Sequence, residues 1–451
     1  MSVIRSVDSA SNDNQGSVYS AALFLICFAF SYLDRQIVSI LVQPLKATLG
    51  ITDSQIGMLQ GFSFTLCYAT AGIIVARMVD RSNRVHIIAA CVAIWACSTA
   101  LCATATSFGE LLVWRAGTAI AEAALSPAVL SLFADMCAPR RLSRATGIFM
   151  LGPYIGSGVA LTGGGALLGW LSQPGNDWLA STSMHAWQMV FLIVGLPGLV
   201  LAAVVFLTVR EPVRRDHADE GKNTELEVAP PFSEVLRELF VRNRFCLPYF
   251  FGYASLIMLF YSFTAWFPTV LIRHFALEAS YVGKITGPLY MVGGVIGVLT
   301  ASVLVRRAKD DQALAIVLKV AACACAALPP LALIAPLASF NVAVILYGLC
   351  AFTASIVMAL APIPLQIAIP NRMRGRSIAL LVFMTNVLGG GVGPFAVGFV
   401  SQQLGDTENA LGIALASVAT VSAVLAAILY LSAALAIKRS QTKLLPSVQT
   451  S

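Results

Sequence analysis

The chain reads as long apolar blocks parted by short polar breaks, without the strict alternation that marks a half-buried strand. Blocks of about 20 residues have the length needed to cross a bilayer as a helix. Twelve can be drawn: 18–40, 54–76, 85–105, 109–133, 145–171, 187–209, 246–271, 281–305, 312–335, 341–363, 376–401 and 410–436. Lipid offers no partner for exposed backbone N–H and C=O groups, so runs this long and continuous predict helices rather than barrel strands. The expected fold class is all-α, a polytopic membrane protein. Composition agrees, because 58% hydrophobic and 11% charged residues leave too little polar surface to coat a soluble chain of 451 residues.

Most of the 29 Lys and Arg residues fall in the two tails and in every second loop, 77–84, 140–144, 210–244, 306–309 and 372–376. The opposite loops hold Lys46, Arg273 and Lys284. By the positive-inside rule both termini are expected in the cytoplasm, which for a bacterial chain means the plasma (inner) membrane. Basic loops against anionic lipid also account for the net charge of +7, so no nucleic-acid partner is called for. The first 17 residues lack the charged start, short apolar core and cleavage site of a signal peptide. Nearly all of the ten cysteines lie in apolar spans, where they are expected as small core residues. Neither they nor His86, His185, His217 and His274 have metal-ligand spacing, and no cofactor is expected.

The longest polar stretch divides the chain into a tail (1–17), six spans (18–209), a linker (210–245), six further spans (246–436) and a second tail (437–451). The halves echo each other. Pro139-Arg140-Arg141-Leu142-Ser143-Arg144 follows span four, and Pro370-Asn371-Arg372-Met373-Arg374-Gly375-Arg376 follows span ten. Each basic loop leads into a span with a Gly-Pro pair, Gly152-Pro153 and Gly393-Pro394. Two pseudo-symmetric six-helix bundles are one architecture of secondary transporters.

Four charges lie where lipid would exclude them, Asp34 and Arg35 in span one and Arg115 and Glu122 in span four. Each costs roughly 2.5–3.5 kcal/mol at mid-bilayer unless it is paired or wet. Arg115 and Glu122 stand about two turns and roughly 10 Å apart on one helix face, able to bracket a cavity. Asp34 can meet Arg115 and Arg35 can meet Glu122, or the reverse. A static ion-pair network is a weak stabiliser because desolvation offsets attraction, whereas intramembrane acids mark proton and ion paths. Asp34 and Glu122 are therefore the proton-coupling candidates, with Arg35, Arg115 and Tyr32 as the charge and substrate network. Span five adds Gly152-Pro153-Tyr154-Ile155-Gly156, suited to close helix packing or to a hinge.

The loop Ala76-Arg77-Met78-Val79-Asp80-Arg81-Ser82-Asn83-Arg84 resembles the loop motif of the major facilitator superfamily, with Ala76 in place of the usual Gly. The resemblance implies a cytoplasmic gate made by Asp80, Arg81, Arg84 and Arg144, where topology alone would give Asp80 no role. Tyr32-Leu33-Asp34-Arg35, Asp80-Arg81, Arg115 to Glu122 and Arg144 together resemble the spinster-like branch, densely over residues 30–160. The related anion and cation symporter branch shows a similar first-helix Asp-Arg. Relatives of the first branch carry lysolipids and sphingoid phosphates, and those of the second carry organic anions.

Spans seven to twelve hold no interior Asp or Glu and offer instead aromatic and amide side chains. Tyr253, Tyr261, Trp266 and Asn386, with Tyr154 of span five, are the candidate substrate wall. The leading expectation is a monomeric, proton-coupled secondary transporter, moving an organic anion or an amphipathic, lysolipid-like solute by alternating access. Sugar acids, aromatic acids and drugs are the alternative substrates. A non-transporting solute sensor of the same fold is the rival, and an enzyme is not expected because no nucleophile motif, metal cluster or phosphate loop appears.

Overall fold

The computed structural model describes residues 2–173, 184–214, 231–306, 312–405, 407 and 409–444. The middle of the linker, His217 and the end of the C-terminal tail lie outside the described residues. Among the described residues there is no strand, and twelve helical segments are long and apolar enough to cross a membrane. They are α1 Val18–Leu49, α2 Asp53–Val79, α3 Arg84–Thr104, α4 Phe108–Met136, α5 Arg144–Leu171 and α6 Ala186–Thr208. In the second half follow α7 Cys246–His274, α8 Ala279–Val305, α9 Ala313–Ile334, α10 Phe340–Ala368, α11 Met373–Gln403 and α12 Ala410–Ile437.

The helix of the first span outruns its expected end, running on to Leu49 through Pro44. Proline in a helix interior removes a backbone bond. The packing of Leu41, Val42 and Leu45, which are at most 1% exposed, carries the helix past it. The same lengthening places Lys46 and Arg273 in the last turns of α1 and α7, where the sequence pattern suggested loops. Upstream, α1 continues without a break to Ser2.

The helices form two compact units, each of which takes one short segment from the opposite half of the sequence. The first comprises Met1–Ile51, Leu66–Lys222 and Glu278–Gly287, and the second Thr52–Thr65, Asn223–Leu277 and Pro288–Ser451. The division falls inside α2 between Thr65 and Leu66, about one turn beyond an interruption of the helix at Gly61. In unit 1 the core is built on Phe24, Phe28, Phe133 and Phe149, with Phe28 stacked on Phe149 at 4.4 Å between ring centres. In unit 2 it is built on Tyr249, Trp266, Phe267, Tyr347 and Tyr430, with Phe267 stacked on Tyr347 at 4.5 Å.

Both Gly-Pro spans carry a wide turn, a π-helical stretch at Ala160–Gly164 in α5 and another at Thr385–Gly391 in α11. Such turns are rare and collect at functional positions in helices. In α5 the glycines also have a packing task. A Cβ on Gly156 would run into the backbone of Ala29, and one on Gly152 would lie 2.8 Å from the Phe28 Cβ. The missing side chains let α5 lie directly on α1, one to two turns before Asp34.

Candidate functional site: a buried ion-pair network in unit 1

The structure pairs Asp34 with Arg115 and Arg35 with Glu122; the reverse is excluded, because it sets acid against acid and base against base. Arg115 Nη1 donates to Asp34 Oδ2 at 3.0 Å and to the Asp34 carbonyl oxygen at 3.2 Å. Arg35 Nε donates to Glu122 Oε2 at 2.6 Å, and the Ser31 hydroxyl donates to the same oxygen at 2.8 Å. Asp34, Arg115 and Glu122 are at most 2% exposed. Charges this dry persist only as hydrogen-bonded pairs.

The two pairs differ in access. In the Asp34–Arg115 pair both side chains are sealed, at 3% and 2% exposure. Arg35 keeps 15% exposure while Glu122 keeps none, so the second pair is reached through its arginine. The Arg35 guanidinium also lies over two rings, 4.9 Å from the centre of Tyr32 and 4.5 Å from that of Tyr68. Aromatic faces attract a cation without neutralising it, which leaves Arg35 attractive to an anion. Glu122 Oε1 accepts no hydrogen bond.

Local sequence explains why Glu122 stands where it does. The helix that carries Arg115 ends at Glu122 and a new one begins at Leu125. Pro127, lacking an N–H, cannot bond back to the carbonyl four residues earlier, and the helix breaks there. Sequence reasoning missed Ser31 and Tyr68. Ser31 is four residues before Arg35 and so on its helix face, a signal that was present. Tyr68 arrives from α2 by tertiary packing alone.

Of the residues read as a cytoplasmic gate, Arg84 is 2% exposed and holds a network that the sequence did not suggest. Its Nη1 donates to Asp135 Oδ2 at 2.6 Å and to the Ser131 hydroxyl at 2.9 Å, and its Nε donates to Glu211 Oε1 at 2.7 Å. Glu211 also accepts from the Val85 N–H at 3.0 Å, and Arg214 donates to the carbonyls of Val79 and Ser82. The signal for Asp135 and Glu211 was an acid closing an apolar span beside a basic loop. Arg81 and Arg144 are exposed, and the Asp80 side chain lies outside what is described.

The candidate wall residues are placed unevenly. Tyr154 is a buried residue of unit 1, while Tyr253, Tyr261 and Asn386 are half-buried in unit 2. Asn386 donates to the Val382 carbonyl of its own helix at 2.8 Å. Trp266 corrects the expectation: it is fully buried, and its indole N–H donates to the Pro394 carbonyl at 2.8 Å. A large ring with a single polar atom is most stable when its body is buried and its N–H is matched, so Trp266 serves packing and presents no face to a solute. Among the described residues no group of His, Cys, Asp or Glu is arranged to hold a metal ion.

Twelve apolar helices in two units, with a buried carboxylate and arginine network on the first and fourth, define a polytopic membrane transporter fold. The family model of the Major Facilitator Superfamily matches residues 24–394, and the chain belongs to that family, one of transporters rather than enzymes. The chain is similar to an MFS-type efflux pump of Mycolicibacterium smegmatis, 28% identical over 405 residues that cover 89% of this chain and 88% of that protein. It is also similar to a probable galactarate/D-glucarate transporter of Bacillus subtilis, 23% identical over 317 residues that cover 64% of this chain and 65% of that protein. Among solved structures it resembles a bacterial homolog of the human lysosomal transporter Spinster, captured inward-facing and unoccupied. That likeness has a TM-score of 0.75 and 25% identity, covering 94% of this chain and 98% of the other. The spinster-like and anion and cation symporter resemblances both stand.

Proposed function

We propose that this protein is a proton-coupled secondary transporter that moves an organic anion or an anionic amphipathic solute by alternating access. Glu122 carries the proton in this reading, and Arg35 receives the anionic group. The observation that supports it most is the asymmetry of the two ion pairs: Asp34 is closed in by Arg115, while Glu122 depends on an arginine that its surroundings can reach. An anion that engages Arg35 draws the guanidinium from Glu122. The carboxylate would then be charged and uncompensated in a dry interior, a state that costs several kcal/mol. Taking up a proton removes that cost. Occupancy by the anion and protonation of Glu122 thus become linked, which is the minimum that coupling requires.

Arg115, Asp34 and Tyr32 hold the frame of this exchange, and Tyr154, Tyr253, Tyr261 and Asn386 supply shape. Asp80, Arg81, Arg84 and Arg144 form the gate on the side of the basic loops, with both termini on that side. The class of solute follows from Arg35, which calls for one anionic group. Sugar acids fit the same arginine, and the galactarate/D-glucarate relative favours testing them beside lysolipids, aromatic acids and drugs. The test is uptake into proteoliposomes from such a panel with and without an imposed pH gradient. At least one anionic solute is expected to accumulate against its own gradient when the pH gradient is present. Transport that ignores the pH gradient for every solute moved would overturn the coupling, and tight binding without flux would favour a sensor.

A further inference from the structure

Ser31 of α1 stands inside the ion-pair network without carrying a charge, and the exchange proposed above gives it no part. It is 1% exposed, and its hydroxyl donates to Glu122 Oε2 at 2.8 Å, across 91 residues of sequence. A serine inside a helix can instead turn its hydroxyl back to a carbonyl one turn earlier on the same helix. The buried Ser262, Ser377 and Ser422 do so, each donating to the carbonyl four residues before it at 2.7–2.9 Å. Ser31 makes the long-range bond.

Two donors from one face of α1 thus meet on a single carboxylate oxygen, Ser31 and, one turn later, Arg35 Nε at 2.6 Å. They differ in reach. The Arg35 guanidinium ends a long methylene stem and keeps 15% exposure, so it can swing to another anion. The Ser31 hydroxyl is one carbon from the backbone and has no such freedom. When Arg35 leaves, Ser31 is the donor that stays on Oε2, and the buried, unpartnered Oε1 is where a proton from water forms its O–H bond. Glu122 is otherwise faced by Asp34 and Arg35 of α1 and by Tyr68 of α2. Tyr32 lies across the Arg35 guanidinium, and Arg115, on the same helix as Glu122, is engaged with Asp34. A hydroxyl that donates to a carboxylate favours the charged form.

We propose that Ser31 is a positioning residue that holds the Glu122 carboxylate in place while Arg35 is away and sets the pH at which Glu122 takes up its proton. The proposal rests on the reading of Glu122 as the proton carrier and deepens it. Arg35 is the movable partner of the carboxylate, and Ser31 is the fixed one.

The experiment is a pH titration of the purified full chain in lipid, followed by infrared difference spectroscopy at the C=O stretch of a protonated carboxyl group. The band that Glu122→Gln removes belongs to Glu122, and no solute is needed. Ser31→Ala deletes the donor and leaves a void too small for a water to replace it. The ionised carboxylate loses a hydrogen bond in this variant, so the midpoint of the Glu122 band is expected to move to higher pH. The expected shift is about one pH unit, a ten-fold gain in proton affinity, the size of one hydrogen bond to a charged group. Ser31→Thr keeps the hydroxyl and is expected to titrate with the parent. An unmoved midpoint in Ser31→Ala would overturn the proposal, as would an equal shift in Ser31→Thr. If the added methyl group of threonine prevents folding, Ser31→Cys replaces it. Its weaker donor is expected to place the midpoint between the other two, and a midpoint at the alanine value overturns the hydrogen-bond role. An unshifted band beside solute-driven proton movement defeats the role of Ser31 alone. A shifted band beside transport that ignores pH defeats the coupling alone, and the absence of any band removed by Glu122→Gln overturns both.

Discussion

The two units bury polar chemistry in opposite ways. Unit 1 places two full ion pairs among its apolar helices and matches each carboxylate to an arginine within 3.0 Å. Unit 2 buries aromatic rings instead, and the lone hydroxyls it encloses on Tyr347, Ser355 and Tyr430 have no hydrogen-bond partner. Its ion pair of Asp53 with Arg273, at 2.8 Å, is kept to the helix ends, with Arg273 partly exposed. A buried charge pair is a poor source of stability beside the apolar packing that could replace it. Stability alone therefore does not explain why unit 1 carries two such pairs, and the proposed coupling gives them a use.

Removing Arg115 should break this contrast most severely. Arg115→Ala strands Asp34 as an uncompensated charge and is expected to cost about 3–5 kcal/mol. Thermal unfolding in detergent should show the loss, and adding Asp34→Asn should recover most of it. Survival of Arg115→Ala at the parent melting temperature would mean that the pair is already solvated. Next in size is Arg84→Ala, which releases Asp135 and Glu211 together. Glu211 is partly exposed, so the expected loss is smaller, about 2–3 kcal/mol by the same measurement. In unit 2, Tyr347→Phe removes a hydroxyl that bonds to nothing and should leave stability within about 0.5 kcal/mol of the parent. A large loss there would place an unseen polar partner in unit 2 and weaken the comparison.

How much of this was legible in the sequence depends on whether the cause is local. All twelve spans were visible because lipid imposes one length and one composition on any helix that crosses it. The four interior charges were visible for the converse reason, since each is an exception to that rule. Their grouping followed from two-turn spacing in α4 and adjacency in α1, and charge sign selects the pairing, because the reverse sets acid against acid and base against base. Tyr68, Asp135 and Glu211 were missed because each joins its cluster only when distant helices pack. Asp53 and Arg273 looked like ordinary charges at span ends, and only the fold brings them together. Trp266 was misread for a related reason: an aromatic residue in an apolar span gives no sign of whether it faces a path or a core.

The central claim is that Glu122 exchanges a proton as Arg35 exchanges its partner. Solute-induced proton movement, recorded with a pH-sensitive dye inside proteoliposomes holding either the parent protein or Glu122→Gln, tests it most directly. The account predicts proton movement on addition of a transported anion to the parent vesicles. In the variant it predicts none, while exchange of labelled for unlabelled solute continues. Proton movement of the same size in Glu122→Gln vesicles would contradict it and transfer the role to Asp34 or to a group outside this network.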